Sequence, residues 1–111
     1  MGEKWGNGDG MEKRKPHYDL NAIKSAFADP KALNRTFSSK QGADDLAMDD
    51  DAVVAVIQGL SVGDFDKSMT SIADHRVWQD VYKPHAGART LYVKFTLDAG
   101  GSPLLISFKE A

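Results

Sequence analysis

Lysine, tyrosine, glutamine and arginine side chains, recurring through the second half of the chain, are the groups in this sequence able to act on a substrate. Other chemistries fall away. There is no cysteine, which removes thiolate nucleophiles, thiolate metal ligands and disulfides. Ser61, Ser68, Ser71 and Ser107 stand in no nucleophile-elbow context. His17, His75 and His85 make no pair at ligand spacing on a helix, and Asp74-His75 reads as a turn rather than a dyad. No paired glutamates suggest glycoside chemistry. Asp44, Asp45, Asp49, Asp50 and Asp51 invite a metal. A calcium loop beginning at Asp49 needs glycine at its sixth position and a carboxylate at its twelfth, and those places hold Val54 and Leu60. Helix capping explains the aspartates better.

The remaining set suits phosphodiester chemistry on RNA. Cleavage without a metal uses the neighbouring 2′-hydroxyl as nucleophile. One group must take its proton, another must protonate the departing 5′-oxygen, and cations must lie near the phosphate. A lysine ammonium serves first as an electrostatic stabiliser. It becomes a general base only where desolvation or another cation lowers its pKa. A tyrosine can stack on a splayed base or move a proton.

The elements that must position these groups are four strands in a meander between Asp64 and Lys109, with helices before it. Asp19 caps a helix through about Ala28, with Leu20, Ile23 and Phe27 on one side, and Pro30 ends it. Leu33 to Phe37 reads as a short edge strand or an extended connector. Ser38 or Ser39 caps a short helix to about Met48. Asp49 caps the next, whose apolar stripe is Val53, Val56, Ile57 and Leu60, with Gly59 near its C-terminal end. Strands at 65–72 and 76–83 flank a turn at Asp74-His75, and Pro84 to Gly87 forms the next loop. Gly100-Gly101 is a two-residue hairpin signal between the last two strands. With that turn, opposite residues sum to 201. Leu97 then faces Leu104, Phe95 faces Ile106, and Val93 faces Phe108. On the other face Tyr92 stands opposite Lys109, and directly opposed Cβ atoms lie about 4.5–5.5 Å apart. Gln79 shares the Tyr92 face only if opposite positions in the preceding hairpin sum to an odd number, which pattern alone leaves open.

The chain of 111 residues suits one domain. Net charge is −2, so the protein is no simple nucleic-acid sponge. The charge is uneven, however: +4 over residues 11–42, −7 over 43–80 and +2 over 81–111, which permits a local basic face. No apolar run approaches a membrane span or a signal-peptide core, and the expected location is the cytoplasm. Residues 1–10 carry four glycines and read as a flexible extension before a single domain at 11–111, with Met11 a second candidate start. The glycines there imitate a phosphate loop only superficially. Lys13-Arg14-Lys15 reads as a solvated entry segment, with a contact to RNA or a partner as the alternative.

The motifs Asp-Phe-Asp-Lys-Ser-Met-Thr (64–70) and Ser-Ile-Ala-Asp-His-Arg-Val-Trp-Gln-Asp-Val-Tyr-Lys-Pro (71–84) resemble the motility quorum-sensing regulator (MqsR) family of bacterial toxins. Met-Glu-Lys-Arg-Lys-Pro-His (11–17), Val-Ile-Gln-Gly-Leu-Ser (56–61) and Leu-Ile-Ser-Phe-Lys-Glu (105–110) extend the resemblance over essentially residues 11–111. It implies an α+β, RelE-like fold, a twisted and mostly antiparallel sheet with N-terminal helices packed against it. It implies the toxin of a type II toxin–antitoxin system: a metal- and cofactor-independent mRNA endoribonuclease preferring GC-containing sites such as GCU, linked to persistence and biofilm behaviour. The implied partners are mRNA and an MqsA-like, zinc-containing, DNA-binding antitoxin, with no membrane and no direct DNA binding by the toxin alone. The family's active-site pattern of Lys, Gln, Tyr and Lys falls on Lys67, Gln79, Tyr92 and Lys109. Two departures stand out: Asp66 occupies a place where a family member can carry tyrosine, and the 84–89 loop differs in composition. A reading from another class is a non-catalytic module that grips a protein partner or occupies RNA, using an exposed sheet edge.

Overall fold

The computed structural model describes residues 11–111. The stretch at 1–10, expected as a flexible extension and weighed as a phosphate loop, lies outside the described residues. Three helices precede most of the sheet: α1 (Leu20–Ala26), α2 (Phe37–Asp45) and α3 (Asp50–Gln58). The strands are β1 (Glu12–Lys13), β2 (Phe65–Thr70), β3 (Trp78–Tyr82), β4 (His85–Ala86), β5 (Arg89–Leu97) and β6 (Pro103–Glu110). All pairings between these strands are antiparallel, in the order β1-β2-β3-β5-β6, with β4 beside the start of β5. This is the mixed α+β class expected, with the four-strand meander at its centre.

The helices cover one face of the sheet. Ile23, Phe27, Ala43, Val53 and Ile57 from the helices meet Tyr82, Leu91, Val93, Phe95, Leu105 and Phe108 from the strands. Side chains alternate across a strand, so the even-numbered positions of β5, Tyr92 and Lys94, are turned to the opposite face. Asp80 is the exception in the core layer. It is fully buried and accepts bonds from the His17 and Tyr18 backbone N–H groups and from Ser68 Oγ at 2.6 Å. A buried carboxylate needs such partners, and these tie the segment between β1 and α1 onto the sheet.

The helix caps follow local chemistry. Asp19 Oδ2 accepts from Ala22 N, and Asp49 Oδ1 from Ala52 N, each satisfying an otherwise unpaired first-turn donor. The expected capping of α2 by Ser38 or Ser39 is corrected: Thr36 is the cap, its Oγ1 accepting from Ser39 N. Ser39 is buried inside the first turn and donates to the Leu105 carbonyl at 3.1 Å, so its hydroxyl serves the sheet. The segment from Leu33 takes the extended alternative. Thr36 N donates to Leu105 O and Leu105 N to Asn34 O, each at 3.0 Å, around a parallel bridge between Arg35 and Leu105. Other acidic residues of the 44–51 cluster meet side chains: Asp44 pairs with Lys40 and Asp50 with Arg35.

Both later hairpins depart from the expected turns. The hairpin into β5 does not break at Pro84. Pro84 lacks an N–H and interrupts strand assignment, but its carbonyl still accepts from Leu91 N at 2.9 Å. Pairing resumes at His85–Thr90 and Ala86–Arg89, which leaves Gly87-Ala88 as the turn. Gly87 has φ 65°, the positive value a glycine-first hairpin turn uses. The last hairpin turns over three residues, Ala99 to Gly101, rather than over Gly100-Gly101. Gly101 N donates to Asp98 O and Asp98 N to Ser102 O, Gly101 has φ 86°, and Asp98 Oδ1 accepts from Gly100 N and Ser102 N. Opposite residues near the turn therefore sum to 200: Leu97 faces Pro103 and Phe95 faces Leu105. The expected Leu97–Leu104 and Phe95–Ile106 pairs do not form.

Candidate functional site

Two β-bulges build the face opposite the helices. The first is at Asp66. Phe65 pairs with Tyr82, but Lys67 pairs with Val81, so Asp66 is an extra residue. Phe65 stays on the core side, its ring 5.5 Å from that of Tyr82. Period-2 alternation would send Lys67 to the same side; the inserted residue reverses it. The second bulge is at Ile106. Phe95 faces Leu105 and Lys94 faces Ser107, so Leu105 and Phe108 both reach the core although they lie three apart. Beyond the bulge, opposite residues sum to 201, and Tyr92 pairs with Lys109 as expected. The expected pair is right, by a different route: the longer turn and the bulge offset one another.

The register from β3 to β5 sums to an odd number: Val81 faces Lys94 and Tyr82 faces Val93. Gln79 therefore lies on the Tyr92 face, and one row of side chains crosses it as Lys67, Val81, Lys94, Ser107. Tyr92 and Lys109 form the next row to one side. Gln79 lies in the next row to the other side, opposite Met69. All four residues singled out from the sequence share one face, but they do not converge to a point. Two residues along a strand cover about 6–7 Å, so Gln79 and Tyr92 stand at opposite ends of a patch.

Lys109 Nζ lies 5.3 Å from the Tyr92 ring centre and Lys94 Nζ 5.8 Å, within reach of cation–π attraction. Burial raises the Tyr92 pKa above its usual value, Lys67 opposes the shift and Asp66 adds to it. The phenol therefore keeps its proton at neutral pH. The Lys94 pKa is lowered, by burial first and then by Lys109 and Lys67. Lys67 Nζ has Glu12 of β1 at 3.6 Å, and Asp66 has Lys83 at 3.7 Å. Among the described residues no three histidine, aspartate or glutamate side chains cluster as a metal site. Nor is any helix there long and apolar enough to cross a membrane.

Sequence reasoning missed Lys94, the centre of the patch. The signal was present, because the register that paired Tyr92 with Lys109 also puts Lys94 on that face, two residues on. It missed Gly42 as well. A Cβ there would stand 2.0 Å from the Phe108 carbonyl oxygen, so only glycine lets α2 lie this close beneath the strand that carries Lys109. Of the basic residues at the N-terminal end, Arg14 and Lys15 are exposed as expected, while Lys13 is half-buried. Lys13 Nζ sits 4.3 Å from the Trp78 ring centre and 2.7 Å from His17 Nδ1, and the His17 ring stacks on Trp78 at 5.1 Å.

Comparison with known proteins agrees with the motifs. Residues 15–110 match the family described as "Motility quorum-sensing regulator, toxin of MqsA". The mRNA interferase toxin MqsR of Escherichia coli (strain K12) is 42% identical over 100 residues, covering 90% of this chain and 99% of that protein. With nearly the whole described chain inside that match, the protein belongs to the motility quorum-sensing regulator family of toxins.

Proposed function

We propose that this chain is the toxin of a toxin–antitoxin pair and acts as an mRNA endoribonuclease, as the name of its E. coli relative suggests for that protein. The observation that carries the reading is the patch itself: Lys67, Lys94 and Lys109 around a protonated Tyr92 on the face free of helices. Lys67 and Lys109 place ammonium groups beside the scissile phosphate, where charge builds up in the transition state. Tyr92, holding its proton, donates it to the departing 5′-oxygen. Gln79, at the far end of the patch, serves an adjoining nucleotide through its amide rather than the phosphate itself. Attack by the 2′-oxygen leaves a 2′,3′-cyclic phosphate and a 5′-hydroxyl, without a metal or cofactor. The preferred sites are GC-containing, GCU among them. The partner is an MqsA-type antitoxin carrying the pair's zinc and its DNA-binding half, and the pair works in the bacterial cytoplasm.

The test is purified protein on a GCU-containing RNA in the presence of a chelator, with products resolved by their ends. Wild type is expected to leave cyclic phosphate ends. Lys67→Ala with Tyr92→Ala is expected to slow cleavage by at least about a hundredfold, the usual scale of general acid–base and electrostatic contributions. RNA returned intact by wild type, or undiminished cleavage by the double variant, would overturn the reading.

A further inference from the structure

We propose that Lys94, which lies outside the Lys, Gln, Tyr, Lys pattern, is the general base that takes the proton from the 2′-hydroxyl. This rests on the endoribonuclease reading above. Lys94 is central on the patch: Val81 flanks it on β3 and Ser107 on β6, with Lys67 one strand further in the same row. Tyr92 is the next outward residue on its own strand, and Lys109 is diagonal to it. A phosphate spanning Lys67 and Lys109 with its leaving oxygen near Tyr92 therefore lies over Lys94.

The electrostatics of the row single out the same residue. Two of the neighbouring cations have acidic partners, Lys67 with Glu12 at 3.6 Å and Lys83 with Asp66 at 3.7 Å. Lys94 has no carboxylate within ion-pair distance among the described residues. The titratable and charged groups facing it are Tyr92 on β5, Lys67 on β2, Lys109 on β6 and, two residues past Val81, Lys83 with its Asp66 partner, while Val81 and Ser107 beside it are uncharged. Glu12 lies beyond these. Val81, between Lys67 and Lys94 in the row, is fully buried yet stands apart from the main core, so an apolar side chain separates the two lysines. A half-buried amine ringed by like charge gives up its proton more readily than a solvated one, and burial and both lysines do lower its pKa.

The lone pair of neutral Lys94 Nζ takes the 2′-hydroxyl proton while the 2′-oxygen bonds to phosphorus. The phosphorus–O5′ bond breaks, its electron pair stays on O5′, and that oxygen takes the Tyr92 proton. Solvent then reprotonates Tyr92 and deprotonates Lys94, and no oxidant or second substrate is consumed.

The test exploits the difference between lysine and arginine. Arginine preserves the positive charge, but with a pKa above 12 it cannot act as the base. Lys94→Arg is expected to bind RNA within about threefold of wild type and to cleave it about 10²–10⁴-fold more slowly, with the alkaline rise of the wild-type rate profile lost. A fall of less than tenfold, with that rise intact, overturns the assignment. Because the longer side chain could disturb the sheet, a second measurement uses the wild-type fold. Carbon-13 titration of the lysine Cε signals should give Lys94 a midpoint below the ordinary lysine value of about 10.4, moving up when Lys109 is replaced by glutamine. A midpoint at or above the ordinary value overturns it. If wild type cleaves RNA and Lys94→Arg cleaves as well, the Lys94 assignment alone fails. If wild type cleaves nothing, the endoribonuclease reading fails and takes this one with it.

Discussion

Replacing Gly42 by alanine sets a local preference against a tertiary contact and asks which wins. Alanine is favoured over glycine in a helix interior by about 1 kcal/mol, and Gly42 lies inside α2. On propensity alone the variant should be more stable. The contact argues the reverse. The new Cβ would lie 2.0 Å from the Phe108 carbonyl oxygen and 3.1 Å from its carbonyl carbon, where ordinary contact begins at 3.4 Å. The neighbour is backbone in a paired strand and cannot rotate away. Helix and strand must part by more than an ångström, which stretches the 3.1 Å bond from Ser39 Oγ to Leu105 O and loosens Ala43 in the core. Overpacking of this kind costs about 1–3 kcal/mol on top of the lost bond at about 1 kcal/mol. After the propensity gain, the expected net loss is about 1–3 kcal/mol, or roughly 4–13 °C in Tm. Urea denaturation should show a lower midpoint with an unchanged slope, while Ser38→Ala on the exposed side of the same helix stays within about 0.5 kcal/mol. RNA cleavage should weaken too, since Lys109 Cβ lies only 3.6 Å from the added atom. A Gly42→Ala protein that melts at or above the wild-type temperature would refute the reasoning.

Ala47 follows α2 with φ 56°, so Ala47→Gly should stabilise by about 0.5–1 kcal/mol in thermal melts, by removing left-handed strain. Ser68→Ala takes the 2.6 Å donor from buried Asp80 and should cost about 1.5–3 kcal/mol in urea titrations. Tyr82 is fully buried, and its hydroxyl has no partner among the described residues. Tyr82→Phe should therefore be neutral or stabilising at pH 7, because an unsatisfied polar group is removed. Burial, aided by the charges of Asp80 and Asp19, pushes the Tyr82 phenol up to about 12 from 10.0. The folded state holds this proton more tightly than the unfolded chain. Stability from this group is thus intact below pH 10 and is lost as pH rises towards 12, by at most about 2–3 kcal/mol; urea midpoints at pH 8 and pH 11 should differ less in Tyr82→Phe than in wild type.

What could be read from the sequence was whatever local chemistry decides. Asp19 and Asp49 cap helices because a short carboxylate beside a first turn finds an unpaired N–H wherever the helix later packs. The apolar stripe of α3 and the even positions of β5 followed from periodicity alone. The α2 cap went wrong because the competition was not local: Ser39 had a carbonyl of β6 available to it, and no pattern within ten residues announces a strand seventy residues away. The Pro84 loop went wrong for a related reason. Proline forbids one donor but leaves its carbonyl, and pairing with β5 carries the strand through.

The bulges are the deeper limit, and they are also what makes the patch. Leu104, Leu105 and Ile106 are all apolar, so alternation in β6 can be phased either way, and the sequence phasing chose Leu104 and Ile106 for the core where the structure uses Leu105. In β2, strict alternation from Phe65 would bury Lys67. A buried unpaired ammonium is costly enough that the strand takes an extra residue instead, and Asp66 is that residue. The same insertion leaves its carboxylate near Lys83 and close enough to raise the Tyr92 pKa. Asp66 is therefore the hinge that turns Lys67 outward. Its consequence should be read in the orientation and charge of the lysine row, rather than in a lost contact of its own.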